Sequence, residues 1–411
     1  HFLEGKNDDD LEKSNLLQFF FLALLYFSTN GEEWIHSDLW LSSDYCIWEG
    51  LLCDDYGIVT ELNLSSNNLT GTILTEIGEL RGLEHLLLSN NHLTGVIPQE
   101  ILKLQRLKLF KASNNILIGS LPSSIGVLTG IVEIDLSYNQ LADVLPSELG
   151  DLGKMRTLNL FNNTLAGELP DSFYMLSSLT FLSLGMNLFA GDVNRVKNLM
   201  NLEILDLRDN FFSGVVPLSA NQTQMRVLQL SGNRFRGSMP ASIERLESLE
   251  EMYLYNNLLT GNLPSQLGSL ENLKHISLSY NGIKGTIPFE MGKLRNLTSV
   301  HLHNNQLIGS GDHFDYPLVE YITDCGNTFT APARIQCNNC SSCCNVDGDC
   351  LMKNATWPRP GELIHTTRMG GSAFVFTAGL ASCFVIVIIF LILHHFFDRD
   401  IDPSFCREFQ D

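Results

Sequence analysis

The strongest constraint on this chain is a register. The frame L-x-x-L-x-L-x-x-N-x-L-x-G recurs from Val59, Leu83, Leu107, Ile131, Met155, Leu179, Leu202, Met225, Leu249, Leu273 and Leu297, eleven repeats spaced by 24 residues except for two steps of 23. The ninth place is asparagine every time: Asn67, Asn91, Asn115, Asn139, Asn163, Asn187, Asn210, Asn233, Asn257, Asn281 and Asn305. A single unit of this length cannot bury its own apolar face, so a fixed period predicts a stack of like units rather than two or three separate globular domains. Composition follows from the repeat, with 69 Leu and 34 Asn among 411 residues.

Each place in the frame has a physical job. Apolar residues at the fourth and sixth places, such as Leu62 and Leu64, alternate with polar neighbours, which is the period of a strand buried on one face. The asparagine follows where the chain must turn away, and its amide can donate to and accept from backbone groups the turn would leave unpaired. Glycine at the thirteenth place, from Gly71 and Gly95 onward, suits a tight backbone, and Asp143 is the one exception.

After that glycine, eight of the eleven repeats carry an apolar residue and then proline, as in Val96-Ile97-Pro98, Asn262-Leu263-Pro264 and Thr286-Ile287-Pro288. Ile125-Gly126-Val127-Leu128 and Leu267-Gly268-Ser269-Leu270 continue the pattern. Over residues 59–310 the sequence resembles the plant-type leucine-rich-repeat family. The resemblance implies an α/β right-handed solenoid with a concave parallel β-sheet, a second short strand near the Gly-x-Ile-Pro segment, and 3₁₀ turns on the convex side. Repeat six departs, with Asp192-Val193-Asn194 where Ile-Pro is expected, so an irregular spiral is expected between about residues 190 and 220.

Both ends of such a stack need covers. Residues 1–15 read as a disordered acidic leader and 16–58 as an N-terminal cap, because Leu16, Leu17, Phe20, Phe21, Leu24 and Leu25 follow helical spacing and Ser28-Thr29-Asn30-Gly31 supplies a stop. A signal-peptide core is the alternative for this apolar run, but Asp8-Asp9-Asp10 before it is acidic rather than basic. Cys46-Ile47-Trp48-Glu49-Gly50-Leu51-Leu52-Cys53 resembles the C-x-W-x-G-x-x-C element of the same family's N-terminal cap, which implies a Cys46–Cys53 disulfide.

Residues 311–351 read as a second, cysteine-rich cap holding Cys325, Cys337, Cys340, Cys343, Cys344 and Cys350. Zinc or an iron–sulfur cluster would suit two C-x-x-C steps, but no histidine lies among them and the vicinal pair fits a tetrahedral site poorly. An even set of cysteines before the apolar segment, two in the first cap and six in the second, favours disulfides. So do seven glycosylation sequons at Asn63, Asn68, Asn162, Asn221, Asn296, Asn339 and Asn354, which suit a secretory route. The Asp-Cys-Gly followed by a Cys-Cys cluster is similar to C-terminal caps of leucine-rich-repeat proteins in diatoms and related algae. Its pairing stays open.

After a juxtamembrane linker, 352–372, residues 373–393 form 21 consecutive uncharged residues dense in Val, Ile, Phe and Leu. A helix of that length reaches about 31 Å, enough to span a bilayer core. A buried helix and a removable lipid-anchor signal are the alternatives, and the charged tail 394–411 argues against the latter. The expectation is one transmembrane helix in the plasma membrane, with the repeats outside because of the disulfides and a short cytoplasmic tail.

No G-x-x-x-x-G-K-[ST], G-x-S-x-G, H-E-x-x-H or kinase signature occurs, so no enzyme, catalytic residue or cofactor is expected. The 18-residue tail leaves no room for a catalytic domain. The chain resembles the kinase-lacking receptor-like class, which would bind a protein, peptide or glycan ligand and signal through a co-receptor kinase or adaptor. A structural or adhesion protein of the cell wall, or an inhibitor of secreted glycosidases, is the alternative. A net charge of −20, from 26 Lys+Arg against 46 Asp+Glu, argues against nucleic acid.

Binding then falls to the outward strand positions, and two clusters depart from the Ser, Asn and Glu background. Tyr253, Tyr255, His275, Tyr280, His301 and His303 sit in repeats nine to eleven, where they could form one aromatic surface sensitive to pH. Simple stacking of exposed rings is the bland alternative, and a zinc site from His275, His301 and His303 a remote one. Phe161, Phe181, Met186 and Ile204 lie mid-array as an apolar contact patch, flanked by Asp206 and Arg208.

Overall fold

The structure is a computed structural model and describes residues 8–314, 318, 320–324, 335–336, 340–344 and 350–352. Short strands from successive repeats, such as His85–Leu87, Leu109–Lys111 and Glu133–Asp135, pair in parallel and in equal register. Together they build one 15-stranded sheet. Leu62, Leu86, Ile134, Leu158, Leu182, Leu205 and Leu228 point from it into one continuous core and are fully buried. A second, shorter set of strands, among them Thr94–Val96, Ile116–Gly119 and Leu188–Asp192, lies after each asparagine turn and also pairs in parallel. In three runs, of three, five and three strands, it makes up a broken side sheet.

The asparagines build a ladder. Asn91 donates its Nδ2 to Leu64 O at 2.8 Å, Leu88 O at 3.0 Å and Ser89 O at 3.3 Å. Its Oδ1 accepts the Leu69 N–H at 2.9 Å. Asn139 repeats this one unit apart, donating to Ala112, Leu136 and Ser137 and accepting from Leu117. From Asn91 onward each rung therefore satisfies backbone groups of its own repeat and of the one before, in a turn where no strand partner is available. At the first rung, Asn67 exchanges both kinds of bond with the backbone of His36, so the N-terminal cap docks onto the ladder.

Repeats one to six and eight to ten close with a 3₁₀ turn, for example Gln99–Lys103. Pro98 precedes it at φ −69° and accepts the Ile101 N–H at 3.1 Å, a place where proline's fixed φ is already right and its missing N–H costs nothing. Repeat six forms its turn, Asn194–Asn198, without proline: Val193 takes the buried place of the isoleucine, and the Asn194 N–H that proline would lack bonds to Asp192 Oδ1 at 2.7 Å. The irregular turn is that of repeat seven, which has no 3₁₀ segment. Gln222 is buried there, its amide donating to Val196 O and Leu199 O and accepting the Ser219 N–H. At the thirteenth place Asp143 adopts φ 68°, the left-handed region its glycine counterparts occupy.

An α-helix, Asp8–Ser28, covers the N-terminal end. It starts inside the stretch expected to be a disordered leader, the helical backbone running on N-terminal to Leu16. Its buried side is Gln18, Phe21, Leu22 and Leu25, whereas Leu16, Leu17 and Phe20 of the expected apolar face are exposed. Thr29 Oγ1 bonds to Leu25 O, and Asn30 at φ 62° stops the helix. Trp34 meets Trp40 edge-on at 4.7 Å and Trp40 packs tilted on Trp48 at 4.8 Å, with Tyr26 and Phe19 of the helix against them. The strand Leu51–Cys53, tied by the Cys46–Cys53 disulfide, pairs antiparallel with Val59–Asn63 and closes that edge of the long sheet.

At the far end the sheet outruns the frame: Glu320–Asp324 and Ser342–Cys344 continue in parallel, and Cys350–Met352 turns back antiparallel. Tyr321 is buried against Phe314 and donates its hydroxyl to Gly311 O. Cys340 and Cys344 are buried and disulfide-bonded. Cys325 and Cys337, and the side chains of Cys343 and Cys350, lie outside the described part, as do the sequons Asn339 and Asn354 and the expected membrane span 373–393. Among the described residues no helix is long and apolar enough to cross a membrane.

Candidate functional site

The outer face of the long sheet departs from its polar background most sharply at the seventh place of repeats five to seven, where Phe161, Gly185 and Arg208 stand in a row that elsewhere is mostly serine. The Arg208 guanidinium lies 4.6 Å from the Phe161 ring centroid, so it spans repeat six to reach repeat five. Gly185 makes that crossing possible. A Cβ at this position would sit 2.8 Å from Asp206 Oδ1 and 3.0 Å from the Phe161 ring.

Asp206 anchors the arginine at 3.4 Å from Nε and accepts the Arg208 N–H at 3.1 Å. Burial pushes the Asp206 carboxyl above the usual carboxylate range, against the pull of Arg208, and burial raises Asp209 in the same way. Tyr138, from repeat four, packs on the other side of Phe161 at 5.3 Å.

This corrects one expectation. Phe161 is not an exposed apolar residue; at 7% exposure it is a buried support, sealed by Tyr138 and Arg208. Phe181 and Ile204 are half-buried neighbours on paired strands, and Met186, 44% exposed, is the accessible apolar group. The result is a shallow apolar floor beside a pre-positioned guanidinium. Sequence reading missed Gly185 and Tyr138, although three successive non-serine residues at one repeat position were the available signal.

The other expected cluster divides. Tyr280 meets His303 edge-on at 5.2 Å, and His301 lies 6.2 Å from His303. His301 Nε2 is 3.0 Å from Glu320, on the strand beyond the eleventh repeat. His275 approaches Thr298 Oγ1 instead, and among the described residues no ring contact joins Tyr253 or Tyr255 to it. Of the six expected residues, ring contacts among the described residues therefore join Tyr280, His301 and His303. Burial, reinforced by His301, pushes His303 down to about 4, and its Nδ1 is buried without a hydrogen-bond partner among the described residues. Burial and then Glu251 push the Tyr253 phenol up to about 12. Among the described residues no three His, Cys, Asp or Glu side chains are placed to hold a metal ion.

Of the sequons described, Asn63, Asn221 and Asn296 are exposed, and Asn68 and Asn162 are half-buried in turns. Asn68 and Asn296 donate to Glu33 O and Glu271 O.

Comparison with known proteins agrees with this geometry. Eight of the repeats match the Leucine Rich Repeat family model, at residues 59–80, 82–104, 130–152, 154–176, 201–221, 224–246, 248–270 and 272–294. The chain is similar to the LRR receptor-like serine/threonine-protein kinase ER1 of Oryza sativa subsp. japonica, 47% identical over 45 residues, which are 11% of this chain and 5% of that protein. Its fold is similar to that of the plant peptide hormone receptor RGFR1 in complex with RGF2 (TM-score 0.62, 30% identity), covering 64% of this chain and 44% of that one. It is also similar to a plant ice-binding protein (TM-score 0.59, 28% identity), covering 67% of this chain and 88% of that one. The chain thus spans less than half the length of either receptor. It carries leucine-rich repeats stacked as in the ligand-binding ectodomains of plant receptors.

Proposed function

We propose that this chain is a cell-surface recognition protein that binds a peptide or protein segment across the outer face of its long sheet, centred on repeats five to seven. The observation that carries the reading is the Phe161–Gly185–Arg208 arrangement. A guanidinium held by Asp206 and stacked on a buried ring loses little freedom on binding, and it stands beside Met186, Phe181 and Ile204, which offer apolar contact. Similarity to a receptor described in complex with a peptide hormone supports a peptide over a glycan at this face.

In the same reading, residues 373–393 anchor the chain in the plasma membrane with the repeats outside, and any signal passes through a partner such as a receptor kinase or adaptor. The Tyr280–His303 group at the far end is the second contact region.

The test is selection of binders from a random-peptide display library on the whole chain, followed by titration of the enriched peptides. Arg208→Ala and Met186→Glu should each weaken binding at least tenfold. A library that yields no binders, or binders indifferent to both substitutions, overturns the proposal.

A further inference from the structure

The side sheet carries a charge pattern unlike that of the rest of the molecule. In repeats eight to eleven its outward positions are Arg234, Arg236 and Ser238, then Leu258, Thr260 and Asn262, then Gly282, Lys284 and Thr286, then Gln306, Ile308 and Ser310: three cations and no anion, in a chain of net charge −20. Arg234, Arg236 and Lys284 are exposed, and among the described residues none forms an ion pair. Arg234 instead lies over the Phe211 ring at 4.9 Å. Along the strands toward repeat six, Asp192 is opposite Ser213, which in turn is opposite Arg234, and it already accepts the Asn194 N–H.

This cationic track leads into a groove. Arg236 pairs across the sheet with Leu258, and Asn262 bridges to Lys284. From there Asn262, Thr286 and Ser310 form one wall of a groove of about 480 Å³. On its other side are Phe289, 69% exposed, and His313, whose rings meet edge-on at 6.1 Å, together with Glu290. Strand spacing and rise place Arg236 about 16 Å from Lys284.

We infer that this face binds an acidic polysaccharide, with Arg234, Arg236 and Lys284 meeting its carboxylate or sulfate groups and the groove holding a sugar ring against Phe289. The groove combines hydroxyl, amide and carboxylate groups with apolar side chains and one well-exposed aromatic ring, a mixed lining that hydrogen-bonds a sugar's hydroxyls and stacks on its C–H face. Charges of one sign spread over about 16 Å fit a linear polyanion better than a single compact anion. This site is on a different sheet from the peptide face, and the two stand or fall separately.

The test uses the full chain and defined probes: an oligogalacturonide, a sulfated galactan oligomer and a neutral dextran oligomer of matched length, with poly-glutamate and vesicles of anionic lipid as competing anions. The uronate or the sulfated oligomer, or both, should bind and the dextran should not, and which of the two binds identifies the anionic group. The double substitution Arg234→Ala/Arg236→Ala should weaken binding at least tenfold and Phe289→Ala at least threefold. Arg208→Ala should leave it unchanged. Absence of binding by both acidic oligomers, equal binding to poly-glutamate or the vesicles, or indifference to Phe289→Ala overturns the inference.

Discussion

At the scale of single residues, the ladder asparagines are the costliest polar groups to remove. Replacing Asn139 with alanine strands the Ala112, Leu136 and Ser137 carbonyls and the Leu117 N–H in a turn closed to water. Asn139→Ala should lower unfolding stability by about 3–5 kcal/mol in denaturant titration, the sum of several unmet backbone bonds. His303 gives a pH effect of predictable sign. Its ring is held at about 4 in the folded chain against an ordinary value of 6.5, so between those values the unfolded chain takes up the extra proton. Its contribution to stability is complete above the ordinary value and is lost as pH falls toward 4, on the order of 3 kcal/mol. Melting temperature measured across that window should fall less steeply in His303→Gln than in the native chain.

The recurring asparagine was legible in sequence because one offset repeated eleven times. What each amide bonds to was not, since its partners come from the preceding repeat. Phe161 shows the limit from the other side: its outward place in the frame was read correctly, but its burial depends on a glycine one repeat later and an arginine two repeats later.

At the scale of elements, side-chain volume must match between neighbouring repeats. Position eleven is phenylalanine in three consecutive repeats, Phe189, Phe212 and Phe235, all fully buried, and Phe189 and Phe212 stack at 5.9 Å with nearly parallel rings. Phe212→Ala leaves a void bounded by both neighbours, and should cost about 3–5 kcal/mol by denaturant titration. The strands of the array were legible from the period, and its 3₁₀ turns only through the family resemblance. The cap helix was legible in type but not in extent or facing, because its apolar residues occur on more than one side and only packing against the first repeats, where Phe21 and Leu25 meet Leu62, Leu69 and Ile77, selects the buried one. The last parallel strands were hidden because Tyr321 and Thr323 stand at the fourth and sixth places, where the frame requires leucine.

At the scale of the whole molecule, a stack in which each repeat bonds mainly to its neighbours turns sequence order into spatial order. Distinct surfaces can then occupy different stretches and different sheets of one array. The long sheet concentrates its non-polar and aromatic departures in repeats five to seven and at the far end, whereas the side sheet gathers unpaired cations in repeats eight to ten. The central claim is that recognition occurs at the Phe161–Gly185–Arg208 row. It is tested most directly by placing a photo-crosslinking residue, benzoylphenylalanine, at position 186 and, as a control, at the exposed turn position 175, on intact cells that make the protein. The account predicts a peptide or protein adduct from position 186 and none from position 175. Wall polymer alone at 186, or adducts confined to 175, would contradict it.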